Sequence, residues 1–431
     1  GDPYEAYSYS YPHKSAYGPL TPPVPLAPLW QAEPRDALFL YFHVPFCEMR
    51  CGFCNLFART AADEDLVDAY LAALERQARA LADATAPCTI ARIAVGGGTP
   101  TFLLPSQLDR LFDLADRLFG ARPSAIPCSV ETSPKTATSE RLAVLRRRGV
   151  ERVSIGVQSF LEQETHAIGR PQAAREVHAA LERLRDFPVV NIDLIYGQPN
   201  QTVASWLASI RAALQYSPEE LYLYPLYVRP NTGIGRHGTV QRASSPFSRL
   251  LYREAREFLL AEGYEQVSMR YFCARHAPAA AGPIYCCQTD GMLGLGCGAR
   301  SYTGQLHYSS RFAVDASGVS AILDDWIGRS TRDFACADWG IRLCEDDRCR
   351  RFVIQSLLTK DGLFDADYHR LFAEAVGDAF PELDRLLEHG LAEHENGSWR
   401  LTALGLELSD AIGPSLYSAS NRARMREFAQ S

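Results

Sequence analysis

The chain is predicted to be α/β: a barrel-type parallel sheet wrapped by helices, followed by a smaller C-terminal α+β domain of winged-helix type. Three observations predict this. Strand-like apolar runs alternate with helical runs from Ala37 to Tyr227, the pattern of a parallel sheet covered by helices. Polar residues (Glu131, Gln158, Asp193) stand at or near the C-terminal ends of those strands, where barrels gather their chemistry. From about Asp346 the texture changes to short amphipathic segments and a pair of short strands around Asn396-Gly397, a hairpin-turn dipeptide.

In order, residues 1–35 are rich in Tyr and Pro. Proline at this density is expected to forbid regular helix or sheet, leaving an extended arm, either disordered or laid across the barrel mouth. Ala37 to Val44 reads as a strand, and Asp63 to Ala82 as a helix with Leu66, Tyr70, Leu71, Leu74 and Ala78 on one face. Strand Ile90 to Val95 runs into Gly96-Gly97-Gly98-Thr99-Pro100. Then come helix Pro105–Phe119, strand Ala125–Glu131, helix Ser139–Arg148, strand Val153–Gln158 and helix Ala173–Arg185. Strand Val189–Ile195, a helix near Ser205–Leu214 and strand Glu220–Tyr227 complete the alternation. Beyond Asp346, helices are expected at Arg351–Leu358, Leu371–Ala375 and Leu383–Gly390, then a wing of Leu391–His394 and Ser398–Thr402.

The 431 residues, 47% hydrophobic, are enough for a large core and a second, smaller domain. A net charge of −7 argues against a nucleic-acid surface, and the acidic residues of the winged module (Glu382, Asp384, Glu388, Glu393, Glu395) argue the same locally. No run is apolar enough to span a bilayer, so no membrane partner is expected. Twelve scattered cysteines suit a reducing compartment, and a cytoplasmic location is expected.

The chemistry is concentrated in Tyr41-Phe-His43-Val-Pro-Phe-Cys47-Glu-Met-Arg-Cys51-Gly-Phe53-Cys54. Three thiols spaced C-x3-C-x2-C in one loop can wrap one iron–sulfur cluster. Half a zinc site is the alternative, but such sites usually close with four ligands. Three ligands on a four-iron cluster leave one iron open to a chelating amino acid, and S-adenosylmethionine (SAM) carries the amine and carboxylate to chelate it. His43 reads as a packed strand histidine. The three glycines read either as a turn or as a place where a ligand approaches the backbone.

With its Tyr-x-His-x-Pro-Phe prefix, the stretch resembles the radical SAM superfamily. More narrowly it resembles the oxygen-independent coproporphyrinogen III oxidase family, over about residues 36 to 420. The resemblance implies a partial (β/α)6 TIM-type barrel with a family-specific extension over 36–325, an N-terminal arm over 1–35 and a C-terminal domain over 346–431. It implies a 4Fe–4S cluster on Cys47, Cys51 and Cys54, reductive cleavage of SAM to a 5′-deoxyadenosyl radical, and an electron donor such as flavodoxin or ferredoxin. Tyr41, Gly97 and Glu131 would hold that SAM. Phe53, Gly98, Thr99, Gln158, Arg170 and Asp193 match positions assigned to a second one, making two molecules.

Departures from the family follow. Coproporphyrinogen oxidases tend to carry a fourth cysteine where this chain has Leu56. Heme-chaperone members show His-Asn-x-x-Tyr-Trp where this chain has Pro283-Ile-Tyr285-Cys286-Cys287-Gln288. C-methyl or methylene transfer to a small organic substrate is therefore the favoured expectation, as in relatives that share C-x3-C-x2-C alone. Oxidative decarboxylation of coproporphyrinogen III and heme trafficking are the alternatives. Cys286 and Cys287 are candidate catalytic thiols, able to hand a hydrogen atom to a product radical; the plain alternative is small buried residues. Arg229 is a candidate for meeting an acidic substrate.

Overall fold

A computed structural model of the chain describes residues 3–4, 10–229, 231–238, 245–279 and 285–430. Six strands, Leu38–Val44, Ile90–Gly97, Cys128–Thr132, Arg152–Gln158, Val189–Tyr196 and Glu220–Pro225, lie side by side in chain order and all run parallel. Helices Glu64–Thr85, Pro105–Phe119, Ser139–Arg148, Ala174–Leu184 and Val203–Leu214 connect them. This is a partial barrel of six βα units, as expected. The sheet continues on both sides. Tyr271–Ala274 and Tyr264–Gln266 add antiparallel strands after Glu220–Pro225. On the other side Met292–Leu295 pairs parallel with Leu38–Val44, and Arg300–Tyr302, Leu306–Ser309, Cys336–Arg342 and Gly18–Pro25 follow antiparallel.

Strand alternation sorts the residues. Leu38, Leu40 and Phe42 are fully buried under the helices, while Phe39 and Tyr41 point the other way, into a half-open interior. The first helix presents Tyr70, Leu71, Leu74 and Ala78 to that layer, all fully buried. Each such side chain contributes roughly 1.5–3 kcal/mol through burial, alanine less. Asp63 caps this helix by accepting from the Leu66 N–H at 2.9 Å.

Four local expectations are corrected. Gly18–Pro25 is a strand and Leu26–Gln31 a helix, despite their prolines. The strand is the outermost of its sheet, so a proline there needs no N–H on the solvent side, and Pro28 falls in the first helical turn, where the N–H is spare. The third strand begins at Cys128, not Ala125. The Ala125 and Ile126 N–H groups turn back to the Arg122 carbonyl, and Pro127 has no N–H to give. The sixth parallel strand ends at Pro225 rather than Tyr227. Leu371–Ala375 is not a helix of its own: Asp365–Phe372 is helical and stops at Ala373, which has φ 58°.

The C-terminal region holds a second apolar core built on Val353, Leu357, Leu363, Tyr368, Leu383 and Trp399. Helices Glu345–Leu357, Asp365–Phe372 and Glu382–Glu388 lead to a hairpin of Ala392–Glu395 and Ser398–Leu401, with Asn396 and Gly397 both at positive φ, the signature of a tight primed turn. Tyr11 of the N-terminal segment is buried in this core, where its hydroxyl meets Asp347 at 2.9 Å. No helix among the described residues is long and apolar enough to cross a membrane.

Candidate active site around the cysteine loop

The loop begins where the Leu38–Val44 strand ends. Phe46, fully buried, anchors it against Tyr70 and Phe102, and Phe46–Cys47 pairs with Arg59–Thr60 to close its base. From across the barrel mouth, Gly52 donates to the Gly169 carbonyl at 3.1 Å and accepts from the Ile234 N–H at 2.9 Å. A Cβ at Gly52 would lie 2.7 Å from the Ile168 carbonyl oxygen, so only glycine allows this approach.

The three thiols are half-buried. Arg170 Nη1 donates to Cys51 Sγ at 3.1 Å, and the Thr99 hydroxyl to Cys47 Sγ at 3.5 Å. Burial pushes the Cys47 thiol up to about 12, against the Thr99 hydrogen bond, and raises Cys54 too. Cys47 and Cys54 therefore hold their protons at neutral pH, and iron must displace them. Among the described residues no three His, Cys, Asp or Glu side chains converge as they would around a single ion. A cluster does not need that convergence, because each thiolate meets a different iron. Leu56, two positions after Cys54, is 45% exposed. The donor set fits a cluster held by three cysteines.

The glycine triplet packs against this loop. Gly98 and Thr99 donate to the Val44 and Phe46 carbonyls at 2.8 and 2.7 Å, and Gly97 donates to Glu131 Oε2 at 3.1 Å. Protein groups thus occupy all three N–H groups. A Cβ would meet Glu131 at Gly96 (2.9 Å), His43 at Gly97 (2.7 Å) and the Phe46 oxygen at Gly98 (2.6 Å). Gly98→Ala is expected to push the Cys47 base outward and cost about 1–3 kcal/mol by overpacking, read as a lower urea midpoint.

Glu131 faces the barrel interior, accessible from within yet walled by protein. Burial first, then the charge of Asp193, raises its pKa to about 7. Asp193 is raised by burial to about 6, against the Asn191 amide that donates to it at 2.8 Å. Tyr41 and His43 share a hydrogen bond of 3.3 Å, and His43 Nε2 lies 3.0 Å from the Phe57 carbonyl. The carbonyl requires Nε2–H, which leaves Nδ1 to accept from the Tyr41 hydroxyl. Burial lowers the His43 pKa to about 4, so it is a packed, neutral histidine, as its strand position suggested.

Gln158 is a buried non-glycine residue at φ 69°, a conformation that costs on the order of 1 kcal/mol and tends to persist at functional sites. Arg170 Nη2 donates to the Gly156 carbonyl at 2.7 Å beside it. Phe53 packs with Ile168, Ile195, Leu226 and Ile234 as an apolar wall of the mouth. The structure thus links Cys51 through Arg170 to the Gly156–Gln158 strand end, and Cys47 through Thr99 and the glycines to Glu131 and Asp193. Cys286 and Cys287 contact Gln288, and Arg351 Nη2 holds the Cys287 carbonyl at 2.7 Å. That ties them to the Glu345–Leu357 helix. Pro283 and Ile284 of the same stretch lie outside the described residues.

Three cations that motif reading missed also sit here. Lys14 lies 3.5 Å over the Phe312 ring; burial and the charge of Arg300 pull its pKa down to about 7, while Cys54 pulls it back up. Arg300 and Arg351 lie across the Tyr302 ring. Arg229, which the sequence did suggest, acts with Lys14 and Arg300 on His13.

Comparison with known proteins agrees with this architecture. The radical SAM superfamily model matches residues 41–213, and the HemN C-terminal domain model residues 343–408. An oxygen-independent coproporphyrinogen III oxidase of Cereibacter sphaeroides is 31% identical over 410 residues, 88% of each chain. The heme chaperone HemW of Bacillus subtilis is 30% identical over 269 residues, 61% of this chain and 70% of that one. The solved coproporphyrinogen III oxidase (HemN) of Escherichia coli shares the fold, with a TM-score of 0.78 over 95% of this chain and 96% of that one at 24% identity. C-methyl or methylene transfer, the favoured expectation, draws no support from these relatives. The chain belongs to the oxygen-independent coproporphyrinogen III oxidase family of radical SAM enzymes.

Proposed function

We propose that the chain abstracts hydrogen from a substrate bearing several carboxylates, coproporphyrinogen III or a tetrapyrrole like it, as the first step of an oxidative decarboxylation. The substrate radical then loses carbon dioxide and passes its remaining electron to a one-electron acceptor, leaving a vinyl group. The observation that carries this reading is a linked set of cations: Lys14 feels Cys54, Arg300 acts on Tyr41, Arg229 acts with both on His13, and Arg300 and Arg351 share the Tyr302 ring. When bound, a reduced 4Fe–4S cluster and SAM supply a 5′-deoxyadenosyl radical as the hydrogen acceptor. Cys47, Cys51 and Cys54 hold the cluster. Tyr41, Gly97 and Glu131 hold one SAM, Glu131 accepting from its ammonium or ribose hydroxyls. Phe53, Gly98, Thr99, Gln158, Arg170 and Asp193 border the space for a second. A flavodoxin or ferredoxin supplies the electron.

The test is anaerobic: reconstituted chain, SAM, a reductant for the cluster, a one-electron acceptor for the substrate radical and coproporphyrinogen III, followed by mass spectrometry. The expected result is 5′-deoxyadenosine together with a porphyrinogen that has lost carbon dioxide. Deoxyadenosine with an unaltered porphyrinogen would sink the reading, and S-adenosylhomocysteine would return attention to methyl transfer. The relative named as a heme chaperone supports a second reading, heme binding. With Cys286-Cys287-Gln288 in place of the His-Asn-x-x-Tyr-Trp expected of heme-chaperone members, titration with heme is expected to give no stoichiometric Soret shift.

Glu131 makes SAM binding depend on pH. Its carboxyl is ionised only above about 7, and the ionised form is the better acceptor. SAM affinity should therefore rise about tenfold between about pH 6 and about pH 8. Glu131→Gln should bind weakly and flatten the profile; an unchanged slope would assign the titration elsewhere. Without SAM the sign reverses for stability. A raised carboxyl pKa means that the folded chain loses stability as pH climbs from the ordinary carboxylate range to about 7.

A further inference from the structure

His307 is fully buried, and neither of its ring nitrogens has a hydrogen-bond partner among the described residues. The Tyr17 hydroxyl, on a side chain 5% exposed, likewise has none among them. His307 stands opposite Tyr302 on the neighbouring strand, their rings 4.4 Å apart, and opposite Ile341 on the other neighbour. Ile341 packs with Tyr17. Cross-strand partners project from the same face, so Tyr17, His307 and Tyr302 share one side of the antiparallel extension. Onto the Tyr302 ring come Arg300 from its own strand and Arg351 from the Glu345–Leu357 helix, at 5.7 and 5.0 Å. Arg300 and Arg351 are the charges that act on His307, and both act on Tyr17.

Buried polar groups are nearly always hydrogen-bonded, so two unpartnered ones on a shared face call for a ligand. The donors present, a phenol, an imidazole and two guanidinium groups, suit an oxygen anion, and an arginine fork matches a carboxylate in particular. A single water could satisfy the phenol and the imidazole, but the two guanidinium groups beside them, which also donate to Ser10, Tyr11 and Cys287, favour an oxygen anion over a neutral ligand. The group also adjoins the chemistry, because Arg300 and Tyr302 both act on Tyr41.

We propose that Tyr17, Arg300, His307 and Arg351 form a carboxylate-binding site that anchors an unreacting acid group of the substrate. This rests on the reading of the substrate as a polycarboxylate. The site sits between the sheet and the C-terminal module, so one end of the substrate is fixed there while another acid arm reaches the Tyr41–Glu131 interior.

The test uses the full, cluster-reconstituted chain and two probes. Coproporphyrin III, the stable oxidised tetraacid, and its tetramethyl ester are titrated by fluorescence; propionate is titrated by thermal shift. Arg300→Met should weaken the free acid about tenfold, as expected for one charge-assisted contact, and Tyr17→Phe should weaken it by a smaller factor. Neither variant should alter ester binding. Propionate should raise the melting temperature of the wild type but not of Arg300→Met. Equal free-acid affinity in wild type and both variants overturns the site. So does propionate that stabilises wild type and Arg300→Met alike, or neither, which is the result expected if only water sits there. Propionate acting through Arg300 with no porphyrin binding supports the site while sinking the tetrapyrrole reading. Displacement of propionate by SAM alone overturns the assignment to substrate and gives the site to the methionyl carboxylate.

Discussion

Cys51→Ser is expected to strip the reconstituted chain of iron, sulfide and colour, and to cut 5′-deoxyadenosine formation by more than about a thousandfold, the scale on which loss of an indispensable group acts. The argument is one of coordination. The loop offers three thiols, and the position two residues after the last is an exposed leucine, Leu56. No spare thiol in the loop can take over from a lost one. Cys51 also receives the Arg170 guanidinium at 3.1 Å, so serine there removes the ligand and strands the cation beside it. The fold should survive, because the loop is pinned by Phe46 and by the Gly52 contacts rather than by its thiols. Far-UV circular dichroism should match the wild type. Arg170→Met should separate the two roles: it keeps all three ligands and is expected to weaken cluster retention by about 10–100-fold, the usual effect of removing a group that orients a metal ligand. Cys344→Ser, at an exposed cysteine outside the loop, should keep its iron. Full iron content in Cys51→Ser would refute the ligand assignment.

What could be read from the sequence, and what could not, follows from the range of the forces involved. Helices Pro105–Phe119 and Ser139–Arg148 have the bounds that periodicity predicts, since an amphipathic stripe is a local property. The Asn396-Gly397 turn was legible for the same reason. Gly18–Pro25 was not, because its strand exists only by pairing with Cys336–Arg342, some three hundred residues downstream. The cysteine loop announced itself by spacing. Lys14, Arg300 and Arg351 did not, because they come from a proline-rich segment, a short strand and a distant helix that only tertiary structure joins. The glycine triplet was half legible. Its glycines are needed, but the groups that crowd them are Glu131, His43 and Phe46, none adjacent in sequence. His307 carried no signal at all, since a lone histidine on an apolar strand reads as core.

The largest expected effect on stability lies where the barrel meets the C-terminal module. Arg270, just before the Tyr271–Ala274 strand, and Asp410, in the Ser409–Ser415 helix, form an ion pair at 2.5 Å with both side chains 1% exposed. The Tyr227 hydroxyl bridges the two, accepting from Arg270 and donating to Asp410. Nearby, Arg249 and Arg253 converge on Glu407, also in the module. Removing one member of a buried pair leaves a charge in a place that water cannot reach, at a cost of about 3–5 kcal/mol. Arg270→Met should therefore be far more damaging than Arg253→Met, whose arginine is half exposed and whose loss should cost about 1 kcal/mol or less. Because the stranded carboxylate belongs to the module and its lost partner to the barrel, the damage should appear first as undocking. Trp399, in the module's own core, should then report a transition separate from that of the barrel. Arg270→Met combined with Asp410→Leu should recover most of the loss, since replacing both charges by apolar groups is often neutral or stabilising. Urea unfolding of the two single variants and the double closes the cycle. A coupling below about 0.5 kcal/mol would mean that water screens the pair and that the module is held by its apolar contacts alone.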